Sequence, residues 1–453
     1  MPAELVRRAT AWALAALACS AAAAAAAWSP AERASVGPLA ARSPDVAMNG
    51  RGDAAAAWVR GTGRKAMVVV AFREAGGAWS RPEAVSRRGR PALDPQVSVD
   101  AAGRVVVAWR QVVGSRIVRV EGLRRRRPVL VVRARERRPG ETRWDRIQTL
   151  SSPRQTVGRP DLAIDGRGIA VATWHWGTGN TPEDPGYVGD VQVAEGRTAQ
   201  AWSLPDAVSG SESCDQLRAP RVSVGGGGHA VVWWQCDLPG DRSAAVATSR
   251  APDQPFALDR ELPFQSAGDL AADLVVSGSG TVVAVSGDGE TLHFWRGPVR
   301  ADGISLQELP VAGSPPGLDR DGGPPRVGVN DDGDALAAWI GSDLRARAAV
   351  IAADLGVAAP AALDPGKQSP SGVRVAVGDG TRGVVAWTAS GRVLVSSRAA
   401  DGSLGAGARI SDLGVAAGEA PSVAMDADGD GVALWTRVVE GHPVVERSDL
   451  AAP

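Results

Sequence analysis

The sequence predicts an all-β fold, an eight-bladed β-propeller closed into one ring, and three observations carry that expectation. A 15-residue string recurs eight times, starting at Pro44, Pro95, Pro160, Pro220, Ala272, Pro325, Val373 and Pro421. Trp closes the string in seven copies, from Trp58 to Trp435, with Ser286 in the fifth. The residues after each string hold two further strand-like runs, so one unit reads as four antiparallel strands. The starts are spaced by about 54 residues on average, near the length of one propeller blade.

Each part of the string has a physical reason. In Val97-Ser98-Val99-Asp100 apolar and polar residues alternate, the period of a strand with two unlike faces. Pro at the start suits a strand position whose N–H is not needed in a ladder. A Gly stands eight residues after the start in seven copies, led by Asp or Asn in five of them. That pairing marks a tight hairpin, because Gly accepts φ > 0 and Asx tolerates it. The seventh copy has Thr381 there and Gly380 one place earlier. The second half, as in Val105-Val106-Val107-Ala108-Trp109, is continuously apolar, as expected of a strand buried on both faces. Third strands follow at Met67–Phe72, Val191–Ala194 and Val393–Ser397, and fourth strands often open on Trp, as at Trp79, Trp144 and Trp202.

The two ends of the chain fit one another. The eighth unit stops after a third strand near Val444–Arg447, while Ala27-Trp28-Ser29-Pro30 through Ser35 has the pattern of the fourth strand Ala78–Ser86. The N-terminal strand is therefore expected to complete the last blade, which closes the ring and hides its edges. The alternative is seven blades with the fifth, Trp-less copy as a degenerate repeat. The domain plan is a signal peptide over 1–27 and a single propeller over 28–453.

Composition bounds the function only loosely. Lys+Arg and Asp+Glu both number 50, which gives no global argument for nucleic acid or an anionic membrane. Lys65 and Lys367 are the only lysines, an Arg bias that fits a GC-rich bacterial genome. Arg7 and Arg8 followed by the apolar stretch Ala9–Ala18 read as an export signal, too short to span a bilayer. A-x-A cleavage sites lie in Ala21–Ala27. Cys19 offers a minority alternative, lipid anchoring, although Ala16 stands where a lipobox has Leu. No later segment is apolar enough to cross a membrane, so a secreted or cell-surface protein, a monomer, is expected.

The repeat resembles that of secreted bacterial multi-bladed propeller proteins, with the sialidase-type, Asp-box-bearing folds as distant relatives. The resemblance covers 28–453 at the level of architecture. The Asp-box runs Ser-x-Asp-x-Gly-x-x-x-Trp, whereas here Gly103 precedes Trp109 by six and the Ser is missing. Sialidase chemistry is therefore not carried over. A Tyr nucleophile could only be Tyr187, with Glu183 as its partner, and no motif places an Arg triad.

Candidate site residues cluster in blades two to four, on the face that carries the second-to-third strand connections. From Arg110 to Arg146 there are 13 Arg against four acidic residues, densest at Arg124, Arg125, Arg126 and Arg127. This suits a grip on phosphate or carboxylate, because the guanidinium donates two parallel hydrogen bonds. The competing reading is a solvated charged hairpin. No aromatic residue is interleaved before Trp144, which argues against single-stranded nucleic acid. In blade three, Trp176, Glu183, Asp184 and Tyr187 could stack on and hydrogen-bond a sugar, or the aromatics could simply pin a loop. Cys214 and Cys236 are the two cysteines beyond the signal, and a disulfide is expected in an oxidising compartment. Asp426-x-Asp428-x-Asp430 resembles the calcium loops of integrin-type repeats. A plain turn is the stronger reading there, and so it is for Arg51-Gly52-Asp53; no other cofactor is indicated. The histidines His175, His229, His293 and His442 fall in dissimilar positions, and no Gly-x-Ser-x-Gly or His-Glu-x-x-His occurs. The leading expectation is a non-catalytic extracytoplasmic propeller binding a glycan or another cell-envelope component, with an acidic glycan or wall polymer as a candidate partner. A glycan-active hydrolase or lyase at the channel mouth, or a structural scaffold without a ligand, stands as the alternative.

Overall fold

Each repeat folds as one antiparallel sheet, and the computed structural model contains eight such sheets. It describes residues 27–451 apart from 121–122, 155, 179–187, 211–213, 215, 218–219, 239–241, 267–269, 288–289, 354–355, 367, 400 and 417–418. Blade one runs Ala41–Met48, Ala54–Arg60, Met67–Arg73 and Glu83–Ala84, with consecutive strands hydrogen-bonded. The first strands of consecutive blades touch one another in an unbroken circle, from Ala41–Met48 round to Ser422–Met425 and back. The chain is therefore an eight-bladed propeller, with first strands innermost.

The ring closes through the N-terminus. Ala27–Trp28 pairs with Leu450 and Ala451, and Glu32–Arg33 pairs with Glu446 and Arg447 of the last third strand, His442–Ala451. Ser35 shows that this segment is a true fourth strand. Its hydroxyl accepts the Val445 N–H at 3.1 Å. Ser86, Ser151, Ser209 and Ser411 do the same for Val68, Val132, Val191 and Val393. Asp364 takes the role for Ala346.

The seven repeat Trp side chains are completely buried. Each indole packs across the interface onto the blade before it: Trp58 against Leu434 and Val445, Trp174 against Val132 and Ala134, Trp339 against Val285 and Phe294. In blade five Ser286 replaces the indole, and Phe264 and Leu262 from the lengthened last strand of blade four (Arg260–Ser266) fill part of the interface. The sheet itself is complete, so the fifth copy is a blade and not a lost one.

The hairpin signature also has its cause. Side chains of Asn49, Asp100, Asp165, Ser277, Asn330 and Asp426 accept the backbone N–H four residues on. The Gly three residues after each of these six has φ between 81° and 95°, a region closed to most side chains.

The disulfide Cys214–Cys236 is formed. It joins the entry to blade four with the second strand Ala230–Leu238. Its loop of 22 residues predicts a stabilisation of about 3 kcal/mol by the chain-entropy argument. Denaturant unfolding of C214S/C236S is expected to show a loss of that order, and an unchanged midpoint would refute it. Trp174→Ala opens a cavity between two blades and is expected to cost about 3–5 kcal/mol in the same measurement.

Candidate functional site

A propeller's inner strands form an edge, with backbone N–H groups that no further strand can pair. Here the residue one place after each repeat start deals with that edge. The eight residues are Asp45, Gln96, Asp161, Arg221, Asp273, Arg326, Arg374 and Ser422. Asp45 Oδ2 accepts the N–H of Val97 in the next blade at 2.8 Å. Asp161 does so for Val222 at 2.9 Å, Asp273 for Val327 at 3.1 Å, and Ser422 for Val46 at 3.1 Å. The other blades place Gln96 and three arginines there.

Bulges aim these side chains. The pairing of first and second strands shifts between Arg42 and Asp45, between Leu93 and Gln96, and between Ser371 and Arg374. Ser43 and Asp94 have φ of 53° and 51° at two of these points. Such bulges commonly re-aim a side chain beside a site. The result is a polar funnel of about 430 Å³ at the mouth of the channel, rimmed by Asp94, Arg159 and Glu419.

At the far end the hairpins tie to one another from blade to blade. Ala427 N–H bonds Gly50 O, Asn49 Nδ2 bonds Asp100 O, and Asn330 Nδ2 bonds Gly380 O. Gly166 N–H bonds Gly226 O, and Gly226 N–H reaches Asp331 Oδ1 from blade six. A Cβ on Gly225 would lie 1.9 Å from Ser277 O, which is why that hairpin is the four-glycine run Gly225–Gly228. A ligand would therefore enter from the mouth side.

Three carboxylates and three guanidiniums balance the ring. Burial pushes Asp45 up from 3.8 to about 6, against the hydrogen bond from Val97, and burial raises Asp161 as well. Burial, then the Arg221 guanidinium, lowers Arg326 to about 9. Burial and Arg221 likewise lower Arg374 to about 10. For Arg221 the carboxylates of Asp161, Asp273 and Asp45 outweigh burial and raise it. All three arginines are charged at neutral pH. Few of their donors are spent. Arg326 reaches Asp273 at 3.4 Å, Arg221 lies 3.9 Å from the same carboxylate, and Arg374 bonds the Val373 carbonyl at 2.8 Å. The Nε of Arg326 is buried without a partner.

The arginine-rich segment of blade two is on this same face, but it is not a loop. Its strands Val105–Val120 and Leu123–Arg137 run as one continuous ribbon. The first strand reaches only to Gln111 in the pairing, opposite Ala92. The ribbon therefore projects nine residues further, about 30 Å at 3.3 Å per residue. Arg124, Arg125, Arg126 and Arg127 line its far half, the first three fully exposed, and Arg116 faces Arg127 across the ribbon. Arg126 bonds Ser115 Oγ, and none of the four makes an ion pair with a described residue. Ile117 and Leu123 are 63% and 56% exposed on the same arm.

The other candidates separate. Trp176 packs, partly buried, with Trp202 and Leu130 between blades two and three. Glu183, Asp184 and Tyr187 lie outside the described residues. Asp426, Asp428 and Asp430 sit at the hairpin end, away from the mouth, where Asp426 Oδ1 accepts the Asp430 N–H at 2.8 Å and caps the turn. Among the described residues no group of three or more His, Cys, Asp or Glu is placed to hold a metal ion. Cys19 lies outside the described residues, and no described helix is long and apolar enough to cross a membrane.

No protein-family model matches the chain, and no curated protein matches it in sequence. Among solved structures, the BP39L lectin from Burkholderia pseudomallei is 13% identical with a TM-score of 0.52, over 83% of this chain and 100% of that one. A prolyl endopeptidase is 12% identical with a TM-score of 0.50, over 90% of this chain and 54% of that one. A sialidase from Trypanosoma rangeli is 11% identical at a TM-score of 0.42, over 84% of this chain and 57% of that one. At such identities the likeness is one of architecture.

The weak acid at Asp45 gives a pH signature. Between about pH 4 and about pH 6 the folded protein holds a proton at Asp45 that the unfolded chain has released. Its contribution to stability therefore falls as pH rises through that window and levels off above it. In denaturation midpoints taken across that range, Asp45→Asn is expected to remove part of the fall. Parallel curves for the two proteins would refute the assignment.

Proposed function

We propose that the protein is an exported, non-catalytic propeller that holds an acidic polymer, a glycan or wall polymer bearing carboxylate or phosphate groups, on its mouth face. The observation that carries this reading is the pairing of two cationic features on one face. Arg221, Arg326 and Arg374 keep donors unspent in the funnel, and the exposed arm presents Arg124–Arg127 above it. Planar guanidiniums suit carboxylate and phosphate because they bind two oxygens at once.

Two further points favour binding over turnover. Asp45, Asp161 and Asp273 each accept a backbone N–H from the next blade, so their carboxylates are engaged in holding the ring. Of the histidines, His293 is paired with Glu308 on blade five and His175 is buried in blade three. The arm between Val112 and Arg137 has no aromatic residue, so bases would find no stacking platform. The disulfide fits an oxidising compartment. In this reading residues 1–27 direct export, with lipidation at Cys19 as the alternative route to the cell surface.

The test compares wild type with R124Q/R125Q/R126Q/R127Q on polygalacturonate, purified wall polymer and neutral dextran. Wild type is expected to bind the acidic polymers with an affinity that falls as salt rises, and the variant to lose about tenfold, the factor carried by about 1.4 kcal/mol. Equal binding by the two proteins, or equal binding of dextran, would overturn the proposal. Cleavage of the polymers would replace it with a hydrolase or lyase.

A further inference from the structure

Blade five breaks the repeat where the other seven are uniform. Ser286 occupies the position of the buried indole and pairs with Ala272, next to Asp273 of the funnel ring. The space is not fully refilled. A pocket of about 160 Å³ remains between blades four and five, at the mouth-side end of their interface. That is the size of a cavity known to take one benzene-sized group.

The walls are of two kinds. Phe264 and Leu270, 4% and 6% exposed, form an apolar side with Trp295. The Trp295 ring lies 5.7 Å from the Phe264 ring, and its Nε1 is held by Ser286 Oγ at 2.9 Å, so its plane is fixed. The rim beside Trp295 is polar, with Glu308 directly across from Trp295 in the strand pairing and the His293 ring 6.2 Å from the Trp295 ring. His293 Nδ1 meets Glu308 Oε1 at 2.6 Å, with the His293 and Glu308 side chains 36% and 52% exposed.

We infer that this pocket is a binding site for one neutral pyranose ring, distinct from the funnel. A pyranose presents an apolar C–H face and an edge of hydroxyls. The first matches the aromatic side. The second matches a carboxylate that accepts and an imidazole whose other nitrogen is open to a hydroxyl. A purely aromatic guest would fit the volume but would cover the His293–Glu308 pair without offering it a hydrogen bond, a cost that falls on the complex. The site does not depend on the acidic-polymer reading, because none of its residues belongs to the funnel or the arm.

Ser286→Trp tests this directly, since it restores the residue that seven blades carry and fills the pocket. Saturation-transfer NMR on the intact protein would use glucose, galactose, mannose and fucose, with indole as the aromatic competitor. Wild type is expected to bind at least one of the sugars, and S286W to lose that signal while melting no lower than wild type and keeping its affinity for polygalacturonate. Glu308→Gln, on the exposed rim, is expected to weaken the same sugar about tenfold, and it carries the test if S286W fails to fold. R124Q/R125Q/R126Q/R127Q is expected to bind the sugar as wild type does. No sugar signal in wild type, an undiminished signal in both S286W and E308Q, or binding of indole in place of every sugar would each overturn the inference.

Discussion

Seven of the eight sheets of this protein bury one large indole against the sheet before them, and the spacing of the ring follows from that contact. A fully buried Trp fixes how closely two sheets approach, and small residues elsewhere on the strands allow it. Ala54–Ala57 in blade one and Ala335, Ala337 and Ala338 in blade six are all buried around such contacts. Because seven of the eight interfaces are built alike, the inner strands fall on a circle and the residue after each repeat start is brought to the mouth. The chain then needs only to join its ends, and the Ser35–Val445 contact does that with the same hydroxyl-to-backbone bond found in other blades.

That geometry creates a cost at the centre. Eight inner strands present unpaired N–H groups to the channel, and each such group left unsatisfied in a buried place is expensive. Four blades solve this with an acceptor, Asp45, Asp161, Asp273 or Ser422, which reaches into the following blade. Three buried carboxylates would repel one another, so cations are required nearby. Arg221, Arg326 and Arg374 provide them without being used up, since a guanidinium has five donors and a shared carboxylate engages few of them. The unspent guanidinium donors at the mouth are thus a by-product of how the ring is held together.

Much of the fold was legible because the features that set it are identical in copy after copy: the Trp, the turn Gly with its Asx partner, and the matching ends at Trp28 and Val444–Arg447. The candidate site was less so. The funnel column reads Asp, Gln, Asp, Arg, Asp, Arg, Arg, Ser, polar throughout but different in chemistry, so a search for recurring identity passes over it. Its signal is conserved polarity at a fixed offset in an otherwise apolar strand. The arm reads as a connection in the sequence because its dense Arg has the composition of a solvated loop. In the structure strand pairing carries on through it from Val105 to Val120, with one register shift between Val112 and Gly114.

The same logic explains why the two proposed sites outside the funnel lie where the repeat is violated. A position that must fill an interface in seven blades is free to change only where a neighbour compensates, and in blade five Phe264 and Trp295 do so incompletely. A second strand that must turn back near Gln111 in a regular blade can run on only if solvent, not a neighbouring blade, receives the excess, and exposed arginines meet that condition. Like charges facing one another, as Arg116 and Arg127 do, oppose the ribbon's own stability. In the proposed function an anion lying along the arm relieves that repulsion, which would tie the arm's shape to the charge of its partner.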